Sequence, residues 1–317
     1  MMRALALTGP TASGKTALSI AVARELRGEI ISCDSMQIYK EMNIGTAKAT
    51  EEERAAVPHH LIDFLSPDCP YSADNYRCDA LRTAKEITER GNLPIFVGGT
   101  GLYIDTVARA PAPEVPPSSP EYRERLLSEI KTEEDVEALW QRLYSVDPDS
   151  AIKTHKNNVK RVVRALEIYD ATGKTKTYFD TLTKGAVPPI QINMITLDFH
   201  NRDRLYERID TRVDKMLDEG LLEEALSLYK KGFLAPDTTA GQAIGYKELL
   251  GYIEGVATLS EAVEEIKLAS RRYAKRQLTW FRHSEAYRLF IDTEDGEMRS
   301  ESELLSEIFS AIRSFAR

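Results

Sequence analysis

Cysteines are few in this 317-residue sequence, and long apolar runs are missing. The three cysteines, Cys33, Cys69 and Cys78, form no Cys-X-X-Cys pair and are odd in number, which argues against a disulfide framework or a zinc site. No stretch approaches the roughly 18 apolar residues that span a bilayer. The short apolar run at the N-terminus also lacks the features of a signal peptide. We therefore expect a cytoplasmic protein with no membrane partner.

Acidic residues outnumber basic ones by 50 to 42, which gives a net charge of -8 and argues weakly against nucleic-acid binding. The distribution of charge matters more than its average, and two stretches of the chain are basic and free of acid. Their basic residues are Lys267, Arg271, Arg272, Lys275, Arg276 and Arg282 in one, and Lys153, Lys156, Lys160, Arg161 and Arg164 in the other. Clustered cations favour contact with RNA phosphates, and a solvated helix face is the alternative.

Short apolar runs alternate with helical patterns over much of the chain, which predicts an α/β fold with a parallel sheet flanked by helices. The predicted strands are residues 4–8, 29–32, 94–97, 192–199 and 287–291. The predicted helices are residues 15–27, 81–90, 204–219, 221–230, 244–253 and 261–283. A proline cluster at 110–117 indicates a boundary, and residues 122–170 show only helical patterns. We predict a core domain of residues 1–112 and 190–317, with an all-helical insertion domain of residues 113–189.

Residues 9–16 read Gly-Pro-Thr-Ala-Ser-Gly-Lys-Thr and fit the P-loop pattern G-x-x-x-x-G-K-[ST] at every fixed position. In such a loop, backbone N–H groups turn toward phosphate oxygens, and the following helix adds partial positive charge. Lys15 would neutralise the terminal phosphates and Thr16 would hold Mg²⁺. The alternative is a chance glycine-rich turn. The predicted diphosphate-binding residues are Gly9, Pro10, Thr11, Ala12, Ser13, Gly14, Lys15 and Thr16.

Two further motifs follow predicted strands, where ligands of parallel sheets bind. Asp34 follows the second strand, so its carboxylate would lie near the P-loop and bind Mg²⁺ or accept a proton; a turn-capping Asp is the alternative. Gly98-Gly99-Thr100-Gly101 ends the third strand, where a Walker B motif would instead end in Asp. Asp198 has that appearance, but it can equally be a residue that simply ends a strand. The pattern weakens the interpretation as a standard NTPase.

The ordered set of motifs resembles the tRNA dimethylallyltransferase family. The motifs are residues 9–16, Asp-Ser-Met-Gln-Ile-Tyr at 34–39, Gly-Gly-Thr-Gly-Leu-Tyr at 98–103, Lys-Arg-Val-Val-Arg-Ala-Leu-Glu at 160–167 and Gly-Tyr-Lys-Glu at 245–248. The resemblance runs from Leu5 to His283. It implies a P-loop fold related to nucleotide kinases, with Mg²⁺ as cofactor. It also implies transfer of the dimethylallyl group of dimethylallyl diphosphate to N6 of adenosine 37, in tRNAs that read codons starting with U.

By this resemblance Asp34 would be the general base at N6, and Ser35, Met36 and Gln37 would help to hold the flipped adenine. Lys15 would offset charge on the leaving group, and Thr100 would lie near the tRNA and the reacting centre. An arginine of the 204–219 helix would approach the diphosphate; Arg208 and Arg212 share a face, and we predict Arg208. The alternative is a solvated face paired with Glu207 or Asp210. The predicted residues for the anticodon stem-loop are Asp34, Ser35, Met36, Gln37, Thr100, Arg123, Asn158, Lys160, Arg161, Arg271, Arg272, Lys275 and Arg276.

Two departures from the family pattern affect these expectations. Lys156 stands where a proline often precedes Asn157-Asn158, which leaves the local turn open but keeps the basic face. The sequence shows no Cys/His tail after His283, so we expect the bacterial type of enzyme, and we expect it to be a monomer.

Three other functions are compatible with parts of the sequence. A small-metabolite kinase would use the P-loop for ATP, but the basic stretches would then have no role. A prenyltransferase that acts on free adenine nucleotides would share the catalytic motifs. A non-catalytic RNA-binding NTPase would need a hydrolytic acid that the Gly98-Gly99 strand end does not offer.

Overall fold

The computed structural model describes residues 2–110, 115, 119–183, 187–236 and 238–315. The chain divides into two compact units: Met1–Ala108 with Pro189–Arg317, here called the core unit, and Arg109–Pro188, here called the helical unit. The sequence places these boundaries after residues 112 and 189. Most of the proline cluster at 110–117, from which the first boundary was predicted, lies outside the described residues.

The described residues of the core unit form one sheet, whose six strands are all parallel. In chain order, β1 to β6 are Met2–Thr8, Gly28–Ser32, His59–His60, Leu93–Gly98, Ile190–Asp198 and Tyr287–Phe290. Their order across the sheet is β3-β2-β4-β1-β5-β6, and every neighbouring pair is parallel. The predicted parallel sheet is thereby confirmed. The sequence missed only β3, because two residues are too few to show a strand period.

The described residues form fourteen α-helices. In chain order, α1 to α14 are Lys15–Leu26, Glu51–Ala56, Ala73–Glu89, Gly101–Ala108, Pro120–Glu129, Glu133–Val146, Pro148–Lys153, Val159–Thr172, Lys176–Thr183, Arg202–Asp218, Leu221–Lys230, Lys247–Ile253, Leu259–Arg282 and Glu301–Phe315. None of the helices in the described part of the chain is long and apolar enough to cross a membrane.

Two helix starts predicted from the sequence are wrong. The helix predicted from residue 81 begins at Ala73, because Ser72 and Asn75 form a capping box in which each side chain accepts the other's backbone N–H over 3.0 Å. The helix predicted from residue 244 begins at Lys247, because a 3₁₀ turn over Ala240–Gln242 occupies the preceding segment.

Both faces of the sheet are covered, and β1 shows this in its alternating side chains. Leu5 and Leu7 pack into one apolar cluster with α1, α10, α13 and α14. Ala4 and Ala6 point to the opposite face and pack with α3 and α4. Helices on both faces leave the carboxyl ends of the strands as the open edge of the sheet, where ligands of such folds bind.

Two antiparallel helices of the core unit, α10 and α13, are joined by ion pairs. Arg271 contacts Asp210 over 2.6 Å, and Lys267 contacts Asp214 over 2.7 Å. The partner number rises on one helix as it falls on the other, so the helices run in opposite directions. This register brings the face of α13 that carries Tyr273 and Gln277 toward the open edge of the sheet.

The helical unit consists of α5 to α9 and contains no strand among its described residues. Its apolar cluster forms around Leu143, Val162 and Leu166, all of which are buried. Glu167 is also buried, and its carboxylate is compensated by Arg123 at 3.1 Å and Arg164 at 2.7 Å. A buried charge needs such partners, since it is costly without them.

Candidate active site

The loop between β1 and α1 has the backbone shape that its sequence motif predicts. Gly9, Ala12 and Gly14 take positive φ angles of 143°, 61° and 85°, and α1 begins at Lys15. A Cβ atom at Gly9 would lie only 2.9 Å from the carbonyl oxygen of Leu197, so only glycine fits this close approach of loop and β5. Turns of this kind direct consecutive N–H groups into one concave anion site.

The ammonium group of Lys15 lies at the base of this loop. Its Nζ donates to the carbonyl oxygens of Gly9 over 3.0 Å and Pro10 over 2.6 Å. Burial and, to a smaller extent, the positive charge of Arg212 lower the pKa of Lys15 to about 7, although the carboxylate of Asp34 opposes both effects. An anionic ligand beside the ammonium group would raise this pKa again, because an opposite charge favours the charged form.

A cavity of about 390 Å³ opens beside the loop at the carboxyl edge of the sheet, within the core unit. The P-loop, the turn after β2, the end of β4 and the inner faces of α10 and α13 form its walls. The sequence-predicted residues that line it are Thr11, Ala12, Ser13, Gly14, Lys15, Thr16, Asp34, Ser35, Met36, Gln37 and Arg276. The structure thus brings the predicted phosphate loop and the predicted base to one cavity.

Asp34 is held in a tight turn after β2. Its Oδ1 accepts the N–H of Met36 over 2.9 Å, so the carboxylate also caps the turn, as the alternative interpretation of this residue expected. Thr100 supports the same turn, because its Oγ1 accepts the N–H of Ser35 over 3.1 Å and its own N–H bonds Cys33 O over 3.0 Å. Capping and lining the cavity are compatible roles for Asp34.

Gln37 ties this turn to a second segment of the cavity wall. Its Nε2 donates to the carbonyl oxygens of Thr46 over 3.1 Å and Ala47 over 3.2 Å. Its Oε1 accepts the hydroxyl of Ser32 over 3.2 Å. Both ends of the side-chain amide are therefore engaged by the protein itself.

Both arginines considered from the sequence of α10 reach the P-loop region. Arg208 is exposed, and its Nε donates to the carbonyl oxygen of Ala12 over 2.8 Å. Arg212 lines the cavity, where burial lowers its pKa and the charge of Asp34 raises it. Arg208 therefore supports the loop, and Arg212 presents its charge to the cavity.

Two cavity residues of α13, Gln277 and Tyr273, were missed by the sequence analysis. Gln277 is buried; its Oε1 accepts the N–H of Thr11 over 2.9 Å and its Nε2 donates to Gly99 O over 3.0 Å, which joins the P-loop to the end of β4. Burial, together with the negative charge of Asp34, raises the pKa of Tyr273 to about 12. The only signal in the sequence is the four-residue spacing that places the two on one helix face.

The basic stretch of α13 divides into paired and unpaired cations. Arg271 is engaged by Asp210, which was not apparent from an acid-free stretch because the acid comes from α10. Arg272, Lys275 and Arg276 are exposed and have no ion pair in the described part of the chain. The guanidinium group of Arg276 stacks over the ring of Tyr273, 5.5 Å from its centre.

The remaining predicted tRNA residues belong to the helical unit. Lys160 and Arg161 are exposed at the start of α8, without an ion pair among the described residues, and Asn158 occupies the N-cap position. Arg123 instead contacts Glu167, so much of its charge is compensated inside the unit.

Asp34 is the one carboxylate among the described residues that line the cavity, which bears on the expected Mg²⁺. Thr16 and Asp34 both line the cavity. The described residues contain no group of three or more His, Cys, Asp or Glu that would hold a metal by themselves. Asp198, the possible Walker B acid, is instead paired with Arg288 and Arg282. This set fits Mg²⁺, which commonly takes one or two protein oxygens together with substrate phosphates and water.

Comparisons with known proteins identify the family of this chain. The model of the family described as IPP transferase matches residues 37–284, and that described as isopentenyl transferase matches residues 2–62. A tRNA dimethylallyltransferase of Geobacillus kaustophilus is 46% identical over 303 residues, which is 95% of this chain and 94% of that protein.

Solved structures give the same result. The tRNA delta(2)-isopentenylpyrophosphate transferase of Staphylococcus epidermidis is 39% identical, with a TM-score of 0.71 and 99% of each chain covered. A eukaryotic dimethylallyltransferase described as acting on tRNA is 30% identical, with a TM-score of 0.79, over 92% of this chain and 74% of that one.

A parallel α/β sheet with a P-loop, and a cavity that joins this loop to a carboxylate, define an enzyme of the prenyltransferase class when taken with these matches. The chain belongs to the IPP transferase family, whose matched members are tRNA dimethylallyltransferases.

Proposed function

We propose that this enzyme transfers the dimethylallyl group of dimethylallyl diphosphate to N6 of adenosine 37 in tRNAs that read codons starting with U. The products are N6-dimethylallyladenosine and diphosphate. The observation that carries the proposal is the shared cavity of Lys15 and Asp34, which places an anion site and a proton acceptor at one reacting centre. The protein would act as a monomer on the anticodon stem-loop.

The P-loop is suited to the leaving group of this reaction. As N6 attacks the allylic carbon, the carbon–oxygen bond breaks and its electron pair goes to the diphosphate. The N–H groups of residues 12–16, Lys15 Nζ and the guanidinium group of Arg212 would stabilise the charge that develops there. Arg208 donates to the carbonyl oxygen of Ala12 and would act by keeping the loop in shape.

Asp34 is suited to the proton that N6 loses. An exocyclic amine is a weak nucleophile, and a positioned carboxylate that takes the proton during attack assists it. Met36 N–H and the Thr100–Ser35 contact fix the turn that carries Asp34, so the carboxylate would need little reorganisation on binding. Ser35, Met36 and Gln37 would flank the adenine.

Thr16 would hold Mg²⁺ through its hydroxyl oxygen, with the diphosphate of the substrate as further ligand. Bound there, Mg²⁺ would add positive charge at the leaving diphosphate.

The acceptor must leave its stack to reach such a cavity, since enzymes that modify a base take it out of the helix or loop. The exposed cations Arg272, Lys275 and Arg276 would contact tRNA phosphates near the cavity, and Lys160, Arg161 and Asn158 would do so from the helical unit.

A transfer assay with competing acceptors tests the proposal. The enzyme is incubated with Mg²⁺, labelled dimethylallyl diphosphate and unmodified tRNA, with AMP and ATP as separate acceptors. We expect label on tRNA alone. Label on AMP or ATP would indicate a prenyltransferase of free nucleotides, and consumption of ATP without any transfer would indicate a kinase.

A further inference from the structure

Three consecutive backbone N–H groups in the loop before α2 point at one carboxylate. Those of Asn43 and Ile44 donate to Oε2 of Glu224 over 2.9 and 3.0 Å, and that of Gly45 donates to Oε1 over 3.1 Å. Successive N–H groups in a turn form a concave anion site. Here the anion is supplied by α11 of the same chain, some 180 residues away in sequence.

Tyr246 completes the arrangement from the other side. Its hydroxyl donates to Oε1 of Glu224 over 2.6 Å. Its ring lies against Gly45 so closely that a Cβ atom there would be 2.5 Å from the ring. The segment 43–45 is therefore clamped between a carboxylate that accepts its N–H groups and an aromatic ring that covers its backbone.

The next residues of this segment form part of the cavity wall. Gly45, Thr46 and Ala47 line the cavity, and the carbonyl oxygens of Thr46 and Ala47 accept the side-chain amide of Gln37. The N–H of Gln37 in turn donates to Oδ1 of Asp34 over 3.4 Å. A continuous set of hydrogen bonds thus leads from Glu224 to the turn that holds Asp34.

We propose that Glu224 is a positioning residue for the acceptor side of the reaction. It fixes the segment 43–47, and through Gln37 it fixes the placement of Asp34 against the incoming adenine. Among the described residues its hydrogen bonds go only to this segment and to Tyr246, and none goes to the P-loop. The inference rests on the proposed function, because it assigns Glu224 to the acceptor of that reaction.

Only a carboxylate meets all four hydrogen-bond donors. Both of its oxygens accept, whereas a glutamine at this position would turn an NH₂ group toward at least one backbone N–H. Glu224→Gln therefore keeps the size of the side chain and replaces one of its two acceptor oxygens by an NH₂ donor. Glu223→Gln is a matched control on the same turn of α11, because Glu223 is exposed and forms no hydrogen bond or ion pair among the described residues.

Three measurements on the full-length enzyme test the proposal. They are kcat/KM for tRNA at saturating dimethylallyl diphosphate, the Kd of dimethylallyl diphosphate, and amide hydrogen exchange in residues 43–47. For Glu224→Gln we expect kcat/KM to fall by roughly 10- to 100-fold, the loss typical of a removed charged acceptor. We expect faster exchange at 43–47 and an unchanged Kd. Glu223→Gln should match the wild type in all three.

Equal kcat/KM in Glu224→Gln and Glu223→Gln would overturn the proposal. An equal loss of dimethylallyl diphosphate binding in Glu224→Gln would also overturn it, because Glu224 would then stabilise the fold in general. Tyr246→Phe removes one donor and keeps the ring, so it should show a smaller loss in the same direction. If Glu224→Gln fails to fold, the same three measurements on Tyr246→Phe test the proposal. A wild type that does not modify tRNA would contradict the proposed function, whereas unchanged exchange in Glu224→Gln would contradict the positioning role by itself.

Discussion

At the scale of single residues, some side chains of the site both hydrogen-bond the backbone and line the cavity. Asp34 caps its own turn and lines the cavity, and Lys15 bonds loop carbonyls while facing the anion site. Substitutions at these residues can separate the structural role of each side chain from its proposed role in the reaction.

Asp34→Asn keeps an oxygen for the N–H of Met36 but cannot accept a proton at the operating pH. We expect transfer to tRNA to fall by about 10² to 10⁴, the usual contribution of a general base. In Asp34→Ala, which also loses the cap, transfer should fall at least as far. The Kd of dimethylallyl diphosphate should stay near the wild-type value in both variants. Single-turnover transfer and equilibrium binding measure these effects. Wild-type turnover in Asp34→Asn would exclude this carboxylate as the base.

Lys15 predicts a pH dependence for binding of dimethylallyl diphosphate without tRNA. Its pKa in the free enzyme is about 7, and an anion favours the charged form. Binding above pH 7 must therefore take up a proton, so affinity should weaken as pH rises, by up to about tenfold per pH unit. Titration of the substrate does not explain a loss of affinity above pH 7, because its phosphate loses its last proton near pH 6.

Calorimetry in buffers of different ionisation enthalpy measures this proton uptake directly at pH 8. The variant Lys15→Met should bind weakly and with a flat profile between pH 7.5 and 9. A flat profile in the wild type would mean that Lys15 is already charged in the free enzyme.

The P-loop and Asp34 could be found from the sequence because their motifs are continuous and follow predicted strands. Gln277 and the clamp around Glu224 could not, because each joins residues that are far apart in the chain. Spacing along one helix shows which residues share a face, but not which loop that face meets.

At the scale of elements, the cations of α13 divide between ion pairs with α10 and an exposed face. Arg271 and Lys267 hold α10 in an antiparallel register, whereas Arg272, Lys275 and Arg276 remain available for a ligand. Reversing the charge of Arg271 would place a carboxylate beside Asp210, so tests of RNA binding should leave it in place.

Charge reversal of Arg272, Lys275 and Arg276 to Glu should weaken tRNA binding and reduce its salt dependence. For three lost phosphate contacts, the slope of log Kobs against log salt should become less negative by about 2. Filter binding over a range of salt measures both quantities. A charge-matched control reverses Lys40, Arg202 and Lys230, which are exposed and without an ion pair in the described residues of the core unit. Equal slopes in the two triple variants would mean that α13 does not face the phosphates.

The limits of helices could be predicted from the sequence where the helical pattern of apolar residues is long. The helices α10, α11 and α13 begin and end within two residues of their predicted limits. The short strand β3 and the true start of α3 did not follow, because the first has only two residues and the second depends on a capping box.

At the scale of the whole molecule, alternation of strands and helices predicts a parallel sheet but not its order. The pairing of β1 with β5 joins two chain segments that the helical unit separates in sequence. That pairing brings Leu197 against Gly9 and so completes the phosphate loop. Long-range contacts of this kind depend on the packed core, which no local pattern specifies.

The most direct test of the central claim is to map the modified position. Wild-type enzyme, Mg²⁺ and dimethylallyl diphosphate are incubated with an unmodified tRNA that carries A36-A37-A38, and with the same tRNA carrying guanosine 37. The tRNA is then digested with a nuclease, and the masses of its fragments are measured by mass spectrometry. We predict the mass of one dimethylallyl group on adenosine 37 in the first tRNA and none in the second. Modification elsewhere, or none in either tRNA while AMP or ATP is modified or consumed, would contradict the assignment.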